Sequence, residues 1–114
     1  MKQKPFTAAQ FKALSKNAEH ANRTGDSAPP VVKFFAPWNA CTWLISELED
    51  DGDTMFGLCD LGQGFPELGR VSLAELRDLR GPFGLTIERD THFTADKSMG
   101  EYADAAYKAG RIIA

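Results

Sequence analysis

Cysteine is scarce in this sequence, and long apolar runs are missing altogether. Cys41 and Cys59 are too few for a disulfide framework, so both thiols are expected to be reduced and the protein cytoplasmic. No stretch approaches the roughly 18 apolar residues that a membrane span needs. Two lysines lie in Met1 to Pro5, but no apolar segment follows them, so no signal peptide is expected. His20 and His92 are the only histidines, and neither sits in a cysteine-enzyme motif. A Gly-x-Ser-x-Gly elbow is lacking, as is a His-Glu-x-x-His pair. Asp50, Asp51 and Asp53 around Gly52 miss the spacing of a calcium loop. Gly62-Gln63-Gly64 leads into Phe65-Pro66 rather than a helix N-terminus, so it reads as a loop and not a phosphate cradle. No cofactor is expected.

What is present suits one globular domain spanning residues 1–114. Apolar residues make up 43% and charged residues 25%, and eight Phe with two Trp supply the bulk for one core. The net charge of −3 conceals a gradient. Residues 1–25 hold five Lys/Arg against one Glu, and residues 26–60 hold one Lys against seven Asp/Glu. A basic N-terminal helix therefore precedes an acidic hairpin, an asymmetry that can steer a partner.

Three capping boxes mark helix starts: Thr7-Ala8-Ala9-Gln10, Ser72-Leu73-Ala74-Glu75 and Ser98-Met99-Gly100-Glu101. The first predicts a helix over 8–23, with Phe11, Leu14, Ala18 and Ala21 as its apolar stripe and Phe6 stapled to Phe11. Residues 24–30 form a linker ending in two prolines. The second helix is short and stops before Gly81-Pro82, and the third runs over 98–110 with Gly110 as its cap. Between them lie Val31 to Ala36, Cys41 to Leu48, Met55 to Leu61, Leu68 to Val71 and Leu85 to Arg89, short segments rich in branched and aromatic residues. The fold class is α+β: a small antiparallel meander sheet of four or five strands, with about three helices packed on it. The first two helices are expected on one face, the third at an edge or on the same side. A two-residue turn at Asp51-Gly52 puts Cys41 and Cys59 on opposite faces, whereas a three-residue turn puts them on one. Both registers remain open.

Val32-Lys33-Phe34-Phe35, Trp43, Phe56-Gly57-Leu58, Pro66-Glu67-Leu68-Gly69, Arg80-Gly81-Pro82-Phe83-Gly84-Leu85 and Ile87-Glu88-Arg89-Asp90 follow one another in order. This string resembles a family of small bacterial proteins of unknown function, carried on plasmids and other mobile elements. The resemblance covers residues 31–94 and leaves both ends outside. It implies a setting, an accessory gene serving plasmid maintenance, transfer or evasion of host defence. It brings no catalytic residues.

Three sets of side chains are candidates for function. Trp38, on a turn between Pro37 and Asn39, is placed as an interface anchor or as a lid on the core. Lys12, Lys16 and Arg23 share one side of the first helix, and Arg77 with Arg80 extends that basic surface if the helices lie side by side. Glu88, Asp90 and His92 alternate on one face if the last strand extends that far, as a divalent-metal or acid/base group would. Arg89 then points the other way, toward an acid beneath. The leading expectation is a non-enzymatic accessory protein that binds another protein. A nucleic-acid binder using the basic helix and a metal-dependent hydrolase are the alternatives. No membrane partner is expected, and the oligomeric state stays open.

Overall fold

The computed structural model describes residues 1–114. Helix α1 (Ala8–Thr24) comes first, followed by strands β1 (Val32–Phe35), β2 (Thr42–Leu48), β3 (Thr54–Asp60) and β4 (Glu67–Ser72). Helix α2 (Leu73–Asp78), a tight turn at Pro82–Gly84, strand β5 (Glu88–Arg89) and helix α3 (Met99–Ala109) complete it. The fold is α+β, with a five-stranded antiparallel sheet in the order β4-β3-β2-β1-β5. The first four strands form the meander that their short polar turns require. β5 departs from it, returning past α2 to pair with the far side of β1. No helix is long and apolar enough to cross a membrane.

The helix ends follow their capping chemistry. Thr7 and Gln10 complete a reciprocal box on α1, and Ser98 and Glu101 do so on α3. Gly25 and Gly110 close these helices at φ 80° and 73°, the left-handed region that costs glycine least. At α2 the box is only half made. The Ser72 hydroxyl accepts from the Glu75 N–H, but Asp53 of the β2–β3 hairpin supplies the rest. Its carboxylate accepts from the Ala74 N–H and the Ser72 hydroxyl, both at 2.8 Å.

Leu14, Val32, Phe34, Trp43, Ile45, Leu48, Met55, Leu73, Leu76 and Ile87 form the larger core beneath α1 and α2. The smaller core lies on the other face, where Leu44 and Leu58 meet Met99, Tyr102, Ala103 and Ala106 of α3. The third helix is thus neither at an edge nor beside the other two. The reason lies in β2, where every residue from Trp43 to Leu48 is buried. A strand covered on both faces reads as a continuous apolar run rather than an alternation. The α1 stripe also starts later than its spacing suggests. Leu14 and Ala18 are buried, whereas Phe11 is half exposed.

Neither simple hairpin turn occurs. The Glu49 N–H donates to the Thr54 carbonyl at 2.8 Å, so Asp50 to Asp53 close the hairpin as a four-residue loop. Leu48 faces Met55, the register of a turn centred on Asp51-Gly52. A bulge between Ile45 and Glu47 then inserts one residue, and beyond it Trp43 faces Cys59. The slip returns Cys41 and Cys59 to one face, where both pack against the larger core. Asn17 of α1 holds the bulge through its amide, which donates to the Ser46 carbonyl at 3.0 Å.

Candidate functional site

The segment from Leu79 to Thr86 carries an aromatic side chain with nothing to pack on. Arg80 and Thr86 form an isolated antiparallel bridge, and the Gly81 N–H donates to the Leu85 carbonyl at 2.7 Å. Inside that closure the Leu85 N–H reaches the Pro82 carbonyl at 3.1 Å. Phe83 sits at the tip at φ 58° and ψ 26°, the one non-glycine residue of the chain with positive φ. Its side chain is fully exposed. The left-handed region disfavours a residue with a Cβ by about 1–2 kcal/mol, and such strain persists only where the surroundings fix it.

Trp38 seats the start of this loop. Its ring lies directly against Gly81, where any Cβ would collide with the indole. The indole is half-buried and packs on the larger core. Trp38 thus serves as the lid beneath the loop, and Phe83 is the aromatic presented to solvent. Leu79 and Leu85 lie partly exposed on either side of it. Arg77 and Arg80 stand at the same end. The Arg80 guanidinium closes the C-terminal end of α2, donating to the carbonyls of Arg77 and Leu79 at 2.7 and 3.0 Å.

Lys12, Lys16 and Arg23 are exposed along α1. They belong to a different helix from Arg77 and Arg80, with α1 lying over β2 and α2 beside β4. The basic helix is also tied to the acidic hairpin it precedes, through the Asn22 amide and the Glu49 carboxylate at 3.0 Å.

Glu88, Asp90 and His92 are not gathered. The strand ends at Arg89, and the Asp90 carboxylate folds back to accept from the His92 N–H at 2.9 Å. That turn breaks the alternation that would have aligned the three. Asp90 instead faces Lys33 at 3.6 Å, and Glu88 lines a shallow cleft with Lys2 and Gln3. No group of three or more His, Cys, Asp or Glu side chains is placed to hold a metal ion. Arg89 reaches no acid. Its guanidinium donates to the Lys4 carbonyl at 2.7 Å.

Asp90 and His92 do border a cleft of about 420 Å³ shared with Asp96, Lys97 and Tyr102. There the Tyr102 hydroxyl donates to Asp96 at 2.9 Å, and the Lys97 ammonium lies 3.1 Å from the same oxygen. Hydrogen bonds from Lys97 and Tyr102 hold the Asp96 carboxyl below its ordinary range, and Asp96 raises Lys97 in return. Burial raises the Tyr102 phenol. Each shift moves its group away from neutrality, opposite to what general acid/base work at neutral pH favours. Burial likewise pushes the Cys59 thiol up to about 11 and raises Cys41, so both are weakly ionised.

Sequence reasoning passed over Phe83. Its signal was the Gly81-Pro82-Phe83-Gly84 string, in which turn residues flank an aromatic. It also passed over Gln3, whose side chain seals the β5 edge.

A family model described as Protein of unknown function (DUF2958) matches residues 6–113. The match runs through α1 and α3, which the resemblance noted in the sequence had left outside. No curated protein and no solved structure matches the chain.

Proposed function

Since the chain belongs to this family of unknown function, we propose its role from the loop itself: it is a non-enzymatic accessory protein that acts by binding another protein, with Phe83 as the anchor. The observation that carries this reading is the exposed Phe83 ring held on strained backbone at the tip of a loop whose Gly81 lies against Trp38. A chain that only needed a turn there would place glycine at the left-handed position, as it does one residue later at Gly84. Protein interfaces are enriched in aromatic and arginine side chains, and Arg80 lies three residues before this ring in the sequence. The resemblance of the central segment to plasmid-borne proteins supports a mobile-element setting, with a protein of host defence or plasmid processing as the target.

The test is capture of a partner from host lysate on tagged protein, with and without nuclease, comparing the parent with Phe83→Ala. We expect one stoichiometric protein that survives nuclease and is weakened about 30-fold or more in the variant, the scale of a 2 kcal/mol hot spot. Capture that Phe83→Ala leaves intact, or that nuclease abolishes, overturns this reading.

A further inference from the structure

Cations gather at the stem of the Phe83 loop without a carboxylate to pair with. The Met1 amine and the Arg80 guanidinium both donate to one oxygen, the Arg77 carbonyl, at 3.2 and 2.7 Å. Arg80 is also one half of the bridge to Thr86 that closes the loop. Lys2 lies against the other half, lining the shallow cleft shared with Leu85 and Thr86. It is held there from both sides, by Met1 on the Arg77 carbonyl and by Gln3 on Arg89. Lys2, Arg77 and Arg80 are exposed. Burial lowers the Met1 amine below its ordinary range, and the charges of Arg80, Arg77 and Lys2 lower it further, against Asp78. None of these cations is ion-paired, since the salt bridges of the chain join Lys33 to Asp90 and Lys97 to Asp96. In a chain of net charge −3, such a cluster is a local reversal of sign. Holding like charges together costs free energy that an anionic group on a partner offsets.

Resting on the reading of Phe83 as an anchor, we infer that its partner presents an acidic surface: an apolar pocket for the ring, bordered by Asp or Glu carboxylates that meet Lys2, Arg77 and Arg80. Leu79 and Leu85, partly exposed on either side of the ring, suit the wall of such a pocket. A nucleic acid suits the loop less well. Single strands are held by successive stacking rings along a continuous basic groove. Phe83 is the one aromatic of residues 79–86, and its flanks are aliphatic. Asp78 and Glu88 also border the cluster, where they would repel an evenly charged backbone but leave room for discrete carboxylates between them.

The probe is a random peptide library displayed on phage and selected on the full chain, tagged at its C-terminus so that the Met1 amine stays free. Counter-selection on Phe83→Ala isolates the peptides that need the ring. We expect these to carry Asp or Glu beside an apolar residue and to lose affinity as salt is raised. They should bind the double variant Lys2→Glu, Arg77→Glu about tenfold more weakly or worse. Arg80 is left in place because it closes the end of α2, and the salt dependence decides the matter should the double variant fold poorly. Ring-dependent peptides that lack acidic residues, or whose affinity ignores both salt and charge reversal, overturn the acidic partner and leave the anchor standing. A library that yields no ring-dependent peptide overturns the acidic partner too, while the anchor reading is decided by capture from lysate. Binding of single-stranded oligothymidine, or of vesicles of phosphatidylserine with phosphatidylcholine, that Phe83→Ala abolishes assigns the surface to a nucleic acid or a membrane and likewise overturns it.

Discussion

The side chain of Gln3 pairs with Arg89 as a neighbouring strand would. Its Oε1 accepts from the Arg89 N–H at 2.8 Å, and its Nε2 donates to the Arg89 carbonyl at 3.3 Å. The Arg89 guanidinium completes the clamp on the Lys4 carbonyl. One amide thus closes an edge that only two residues of β5 define. Gln3→Ala should cost about 0.5–1.5 kcal/mol, the net worth of such a hydrogen bond. It should also speed hydrogen exchange at the Arg89 amide more than at Phe34, whose partners lie inside the sheet. Unchanged exchange at Arg89 would show that the carboxamide does not hold this edge.

Phe83 offers a test that separates stability from binding. Phe83→Gly relieves the left-handed backbone but adds freedom to the unfolded chain, for a net gain of about 0–1 kcal/mol. Phe83→Ala removes the ring and keeps the strain. Both should lose partner capture; Phe83→Ala should stay close to the parent in thermal unfolding, and Phe83→Gly should equal or exceed it. If Phe83→Gly unfolds at a clearly lower temperature than Phe83→Ala, the loop conformation is not a strained one kept for its ring.

Much of this architecture could be read before any coordinates. The boxes at Thr7 and Ser98 and the glycines at 25 and 110 bound their helices to within a residue, because caps act locally. The four meander strands follow from branched residues between polar turns. The placement of α3 does not, because Leu44 and Leu58 declare themselves core only once a second face needs covering. The bulge at Ser46 is equally silent, since it depends on an amide 29 residues away in α1. At the candidate site Trp38 was legible as an aromatic on a turn, with both an anchor and a lid in view. Its seat on Gly81 is a contact between segments far apart in sequence. Glu88, Asp90 and His92 shared a face only while the strand continued, and the Asp90 turn ended it.

Asp53 gives the third prediction. It belongs to the hairpin, yet it caps α2 through the Ala74 N–H and the Ser72 hydroxyl. Asp53→Ala should cost about 0.5–2 kcal/mol, as loss of an N-cap does. Asp53→Asn should recover part of that, since its amide oxygen can still accept. Glu75→Ala, the residue a reciprocal box at Ser72 would require, should cost less than Asp53→Ala. Chemical denaturation of the three variants ranks them, and a larger loss at Glu75 would restore the box.

Glu47 gives one pH-dependent contribution that a single substitution isolates. It lies on β2 just past the bulge, 5% exposed, on the face shared with Phe56 and Arg70. Burial raises its carboxyl above the ordinary 4.5, the Glu49 charge adds to this, and Arg70 opposes it. Well below that ordinary value the group is neutral in both states, and burying it costs no charge. As pH climbs past the ordinary value the unfolded chain releases its proton before the folded one does, so Glu47 takes away stability. The loss grows until the folded group also ionises, and it is then constant. Glu47→Gln keeps the shape and removes the charge. The variant should unfold at a higher temperature than the parent at neutral pH, with the difference shrinking toward zero below about pH 4. A variant less stable than the parent at neutral pH would mean that attraction to Arg70 outweighs the cost of burial, and that the carboxylate belongs to the sheet as an ion rather than despite its charge.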